Sequence, residues 1–342
     1  MTQTYATSLA NREHLIRMGD AIIVQQALCA AAKLGVADLL DVSPRTSSEL
    51  ADRLNVDERA LYRIMRLLAS EGIFEETLPR VFTNTDMSYY LRSGVPGSLR
   101  SFLVFRGSQV CLAPIGEMLH SVQTGKPATD KLYGLNMFEH LKTDPETART
   151  FDDTMTTLTQ LIAPEVAGAY DFSRWDSVTD VGGGNGLLLS AILKAHPGVR
   201  GVLADLPHVL ERASERGLLG GDLQMRSQLH PCDMFSEIPS GSRAYLMKSV
   251  IHDWGDERAR QVLRNCRRAV PDDGVLLLVE LALADANLPS LGKVRDVLMM
   301  VLTGGMERTV EEYRALLADS GFRLNKVFPL AGDYSIIESL PV

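Results

Sequence analysis

Cysteine is scarce in this chain and never paired in sequence. Cys29, Cys111, Cys232 and Cys266 are scattered over 342 positions, with no Cys-x-x-Cys among them. That spacing argues against a zinc site and for free thiols in a reducing compartment. An excess of positive charge is also missing: 35 Lys and Arg stand against 43 Asp and Glu, a net charge of −8. Nothing in that balance favours a nucleic-acid backbone or an anionic membrane. No apolar run reaches the roughly 18 residues that span a bilayer. The stretch Ala21 to Ala32 is broken by Gln25 and Gln26. The N-terminus is polar without a signal-peptide core, and neither repeats nor low-complexity segments occur. These absences lead us to expect a cytoplasmic protein with neither membrane nor nucleic-acid partner. Its length suffices for two domains and a large core.

What is present is a glycine cluster in a telling place. Residues 177–186 read Ser-Val-Thr-Asp-Val-Gly-Gly-Gly-Asn-Gly. A β-branched run ends in Asp180, opens into a turn containing Gly182, Gly184 and Gly186, and continues into an apolar helix-forming segment. Glycines there let the backbone approach a ligand closely. A dinucleotide fingerprint would need another glycine where Leu187 stands. The spacing Asp-x-Gly-x-Gly-x-Gly instead resembles the first motif of class I S-adenosylmethionine (SAM) methyltransferases, in which the acid helps hold the methionine end of the cofactor. A second apolar strand, 199–205, ends in Asp205, 23 residues after Gly182. A carboxylate at that distance is placed to accept both hydroxyls of a ribose.

The chain is written in two styles. Up to about residue 100 it is helical. Ala21 to Leu40 carries an apolar face (Ile22, Ile23, Ala27, Leu28, Ala31, Leu34), and Thr46 or Ser47 with Glu49 makes a capping pattern. A helix is predicted from Glu58 to Ser70 with Leu61, Ile64, Met65 and Leu68 inward. A short hairpin then passes through Arg80-Val81-Phe82, so the whole reads as a winged helix. Arg59, Arg63 and Arg66 could serve a DNA reader, but residues 1–100 hold 11 Lys and Arg against 12 Asp and Glu. A DNA reader normally carries a basic footprint, so packing or dimerisation is the favoured role. After residue 175, strands are predicted at 177–181, 200–204, 244–248, 275–280 and 322–328, with helices between. This βαβ series implies a mostly parallel sheet. The run 333–339 follows too closely for a parallel crossover, so the last strand should be antiparallel.

The exit of the fourth strand carries the chemistry. It reads Lys248-Ser-Val-Ile-His252-Asp253-Trp254. His-Asp-Trp at this point resembles the signature of the caffeate- and hydroxyindole-type small-molecule O-methyltransferases, and the resemblance runs from about residue 12 to 340. It implies a Rossmann-like α/β SAM domain (99–342) behind a winged-helix dimerisation domain (12–98), with 99–170 as a helical cap over the acceptor pocket. Homodimerisation through the N-terminal domain is expected.

The resemblance also assigns residues. His252 would be the general base, flanked by Glu280 and Glu307. Asp180, Gly182, Gly184, Asp205, Asp233, Met234, Lys248, Trp254 and Arg149 would hold SAM, with Cys232 standing where the family has glycine before Asp233. Phe151, Met155, Met299 and Met300 would line the acceptor pocket. No metal is expected, because Asp253, Asp256 and Asp296 appear only as isolated acids.

The chemistry suits these residue types. SAM brings its own leaving group, so the protein's task is chiefly alignment of an acceptor oxygen. A phenol of pKa about 10 is a poor nucleophile when protonated, and a histidine can take its proton. The expected reaction is methyl transfer to a hydroxyl, most readily a phenol of a small aromatic natural product. Transfer to carbon, nitrogen or sulfur on the same fold is the alternative, and a SAM-sensing, winged-helix DNA-binding regulator is a more remote one.

Overall fold

A computed structural model describes residues 2–284 and 287–342, with side chains from residue 9 onward. The chain divides into two compact units. Met1–Leu112 with Arg149–Thr157 form the first, and Ala113–Ala148 with Leu158–Val342 form the second. Residues 99–112 and 149–157, expected in the cap, therefore cluster with the N-terminal unit.

The first unit opens with a helix of 33 residues, Thr2–Leu34, longer than the apolar face predicted from Ala21. Within its stretch Leu9–Leu34, an 18-residue window of mean hydropathy 1.3 is long and apolar enough to cross a membrane by length and composition alone. This corrects the sequence reading: Gln25 and Gln26 dilute the stretch without breaking the helix, and the apolar residues before Ala21 extend it. Only the C-terminal half of the expected face is covered. Ala27 and Ala31 are buried against Leu61, Met65 and Leu68, while Ile22 and Ile23 are exposed. Thr46 and Glu49 form the expected capping box, and Asp57 caps the helix Glu58–Ser70 through the Ala60 N–H at 2.7 Å. Strands β1 (Arg45–Thr46), β2 (Phe74–Leu78) and β3 (Val81–Asn84) form a small antiparallel sheet of order β1-β3-β2. Two residues long, β1 has no periodicity to read. Arg59, Arg63 and Arg66 are all exposed on the helix Glu58–Ser70.

The second unit is a seven-stranded sheet flanked by helices. Its strands are β4 (Ser177–Val181), β5 (Arg200–Asp205), β6 (Ser227–Pro231), β7 (Ala244–Lys248), β8 (Val275–Leu281), β9 (Phe322–Pro329) and β10 (Tyr334–Pro341). They lie in the order β6-β5-β4-β7-β8-β10-β9. Strands β4 to β8 pair in parallel, and β10 runs antiparallel to both β8 and β9, as the short connection required. Every residue of β4 and β8 is buried, because parallel strands are covered on both faces. Each fully buried Val or Leu of these strands contributes about 1.5–3 kcal/mol over an exposed one. Strand β6 is the element the sequence conceals: Ser-Gln-Leu-His-Pro on a sheet edge, mostly exposed, has no apolar pattern.

Candidate active site

At the carboxyl end of β4 the chain must turn within a few residues. Gly182, Gly184 and Gly186 take positive φ of 69°, 60° and 79°, a region glycine enters without penalty. The Gly182 N–H donates to the Ala204 carbonyl at 2.8 Å and the Gly184 N–H to Asp205 Oδ2 at 2.9 Å. Asp205 Oδ1 accepts from the Leu206 N–H at 2.7 Å, so this carboxylate ties the glycine turn to the end of β5. Between them, Gly183 packs on Asp180: a Cβ there would sit 2.5 Å from Asp180 Oδ2 and from Leu203 Cδ1. Next to it, a Cβ on Gly184 would meet nothing within 4 Å.

Asp180 is buried, and its Oδ1 has no hydrogen-bond partner among the described residues. Burial, reinforced by the charge of Asp205 and opposed by Lys248, raises its pKa to about 7. A buried acceptor without a partner, beside a glycine cradle with room above it, fits a ligand that brings a cation. Lys248, ending β7, donates to Thr159 Oγ1 at 3.2 Å. Asp233 is exposed and caps its own turn, accepting from the Phe235 N–H at 3.0 Å and from Ser236 Oγ at 3.2 Å. Cys232, replacing the expected glycine, is accommodated: its N–H donates to the Asp205 carbonyl and its thiol to the Glu237 carbonyl. Met234 packs with Phe235 and Trp254 on the apolar layer beneath. The Trp254 ring meets Phe235 edge to face at 4.7 Å, and the Arg258 guanidinium lies 4.5 Å from its centre.

His252 is placed by a sharp exit from β7. Ser249 takes a positive φ of 52°, costly for a residue with a side chain, and a single 3₁₀ turn, Ile251–Asp253, follows. Glu280, wholly buried on β8, holds that turn by accepting the Val250 and Ile251 N–H groups at 3.0 and 2.9 Å on Oε1. His252 Nδ1 lies 2.7 Å from Glu307 Oε1. Its Nε2 is 3.7 Å from Asp253 Oδ1, beyond hydrogen-bond reach. The ring is 16% exposed. Burial alone would lower the imidazole pKa. The charges of Asp253 and Glu280, with the hydrogen bond and charge of Glu307, outweigh it and push the pKa up to about 10. Burial in turn raises Glu280 to about 7 and Asp253 to about 6.

The structure thus brings His252, Glu280 and Glu307 together at the sheet's carboxyl edge, their nearest ligand atoms within 4.8 Å of one another. Such a set has metal-ligand composition, which the sequence reading did not weigh, since Glu280 and Glu307 lie on different elements. Met299 is buried and Met300 half-buried on the helix Leu291–Leu302. Arg149, Phe151 and Met155 lie on the helix Pro145–Ala169, in the part belonging to the first unit, where Phe151 meets Phe105 edge on at 5.4 Å. Sequence reasoning missed Asp253 as a charge on the histidine; its place in His-Asp-Trp was the available signal. It also missed Arg308, for which an arginine beside Glu307 gave none.

Comparison with known proteins decides the family. Residues 116–323 match an O-methyltransferase domain and residues 16–93 an O-methyltransferase dimerisation domain. The chain belongs to the O-methyltransferase family. It is 41% identical to the phenazine O-methyltransferase PhzM of Lysobacter antibioticus over 328 residues, 96% of each chain. The solved structure of the mitomycin 7-O-methyltransferase MmcR is similar over 99% of this chain and 100% of that one, at 33% identity and a TM-score of 0.92. NcsB1, an O-methyltransferase from neocarzinostatin biosynthesis solved with SAM and 2-hydroxy-5-methyl naphthoic acid, matches over 93% and 96% at 32% identity and a TM-score of 0.82. This O-methyltransferase uses SAM as its methyl donor.

Proposed function

We propose that this O-methyltransferase methylates a phenolic hydroxyl of a small aromatic natural product, with His252 as the general base. The observation that carries the reading is the 2.7 Å contact between His252 Nδ1 and Glu307 Oε1. A carboxylate at Nδ1 supports the tautomer with its proton on that nitrogen, which leaves Nε2 as the basic atom. The relatives' names support the acceptor class, since they act on phenazine, mitomycin and naphthoate skeletons.

SAM, when bound, supplies a methyl group on a sulfonium that needs no further activation. The chain's residues do the rest. We assign the cationic methionine end to Asp180 and the ribose hydroxyls to Asp205, which also holds the glycine turn. His252 Nε2 takes the acceptor O–H proton as the oxygen–methyl bond forms and the sulfur–methyl bond breaks, leaving a methyl ether and S-adenosylhomocysteine. The acids around His252 raise the imidazole pKa, which makes the ring a stronger base toward a phenol of pKa about 10. Glu307 and Glu280 stabilise the imidazolium that results. We assign adenine contacts to Met234, Asp233 and Trp254, and acceptor contacts to Met299 and Met300. These roles rest on residue type and motif position. Lys248 supports the cofactor site by opposing the charge of Asp180.

The protein acts as a homodimer formed through its N-terminal domain (12–98 on the sequence reading). Support comes from the dimerisation-domain match and from Leu15, Ile16, Met18, Ile22 and Ile23, each at least half exposed on one helix. A patch of that kind marks an association surface. The test is turnover of a panel of phenols with labelled SAM, reading product mass and methyl position. His252→Ala should leave SAM affinity nearly unchanged and lower kcat by ~10²–10⁴. Full activity of that variant on every acceptor would leave positioning as the sole source of rate.

A further inference from the structure

The side chain with the most unusual burial in the second unit is Arg308, only 1% exposed. An arginine is rarely buried without several partners, and this one has them. Its Nε and Nη2 donate to Asp256 Oδ1 at 3.2 and 2.8 Å. The remaining donors go to main-chain carbonyls. Nη1 donates to Ile251 at 3.4 Å and Met306 at 3.3 Å, and Nη2 to Trp254 at 3.0 Å. Ile251 and Trp254 bracket His252, and Met306 precedes Glu307. One guanidinium therefore grips both segments that supply the His252–Glu307 pair.

The main chain around Arg308 completes the grip. Its carbonyl accepts from the Leu283 N–H at 3.0 Å, and Arg308 bridges Ala282 just beyond β8, the strand of Glu280. The Met306 N–H donates to the His252 carbonyl at 2.9 Å. A Cβ on Gly305 would sit 2.0 Å from that same carbonyl, so the two segments touch backbone to backbone.

We infer that Arg308 is a positioning residue for proton removal: it holds the His252 turn and the Glu307 loop in register, and so sets the Nδ1–Oε1 distance. This inference rests on His252 being the general base. Lysine would keep the charge but cannot spread donors over three carbonyls and a carboxylate, since it is a point charge on a flexible stem.

The experiment is a double-mutant cycle in the full-length protein with a weakly acidic phenol. Arg308→Lys should lower kcat ~10–100-fold, the usual range for a residue that orients a reacting group. In the His252→Ala background the same change should cost no more than about twofold, because coupled residues are not additive. SAM affinity by calorimetry should stay within about threefold in all four proteins. The downfield imidazole N–H resonance of His252 reads the hydrogen bond to Glu307 directly, and R308K should broaden or lose it. Equal fold losses in both backgrounds, or an unaltered resonance, would overturn the inference. Loss of the resonance with undiminished turnover would keep the positioning and refute the general-base reading. Should R308K fail to fold, Asp256→Asn loosens the guanidinium from its half-exposed partner. A smaller loss that again vanishes in the His252→Ala background supports the inference, and no loss overturns it.

Discussion

Replacing Glu307 with Gln keeps an oxygen able to accept from His252 Nδ1 but removes a full negative charge at 2.7 Å. A carboxylate so close typically supports an imidazolium by about 1–3 pKa units. Glu307 acts here by both hydrogen bond and charge, alongside Asp253 and Glu280. The histidine, at about 10 in the parent, should fall in E307Q yet stay above its ordinary 6.5, because two acids remain. The sign follows from its role. A base must be neutral, so activity rises with pH through the histidine pKa, and a lower pKa moves the rising limb toward acid. The variant is also a poorer catalyst. Its base is weaker, and an amide can turn its NH₂ toward the ring and favour the wrong tautomer. Together these should cost ~10²-fold in kcat toward a phenol that arrives protonated. The assay is initial rate at saturating SAM from about pH 6 to about 11, for phenols of graded acidity. Acidic phenols that arrive as phenolate need no base and should show the smallest deficit. An E307Q profile with the parent's inflection would refute the coupling of this carboxylate to the base.

Asp180 is neutral below its raised pKa of about 7, and only its carboxylate attracts a cation. SAM affinity should therefore rise by up to about tenfold per pH unit below 7 and level off above it, with Asp180→Asn flattening the dependence in calorimetry. Asp205→Ala should weaken SAM binding by ~1.5–3 kcal/mol through lost charge-assisted bonds, with further loss if the glycine turn loosens once the Gly184 N–H has no acceptor. Ile22→Asp with Ile23→Asp should give a monomer by sedimentation, because two exposed apolar side chains of the long helix become charges. A dimer of unchanged affinity would place the interface elsewhere.

The sheet was legible because most of its strands are short apolar runs separated by helices of ordinary length, and six of the seven were read within about two residues. The exception, β6, pairs on one side only and buries little, so its composition carries no strand signal. Asp180 and Asp205 were legible as cofactor candidates because the motif is local: strand ends and glycines close together in sequence. The His252–Glu307 contact spans 55 positions, and only the family resemblance joined the two. Arg308 escaped both routes. Its partners are mostly carbonyl oxygens, which every residue possesses, so no side-chain pattern announces them. The long helix starts well before its legible apolar face because exposed Leu15, Ile16 and Met18, interspersed with charges, form no continuous run.

The contact between Gly305 and the His252 carbonyl has a bearing on how this scaffold can change. Main chain lies against main chain there, with no space for even one carbon. The support beneath His252 is thus built from atoms that side-chain mutation does not alter. Variation among the side chains proposed to face the acceptor can reshape what is admitted while that support stays fixed. On the proposed roles, acceptor preference and proton transfer are separate inheritances, one open to drift and the other locked by a glycine that admits no replacement.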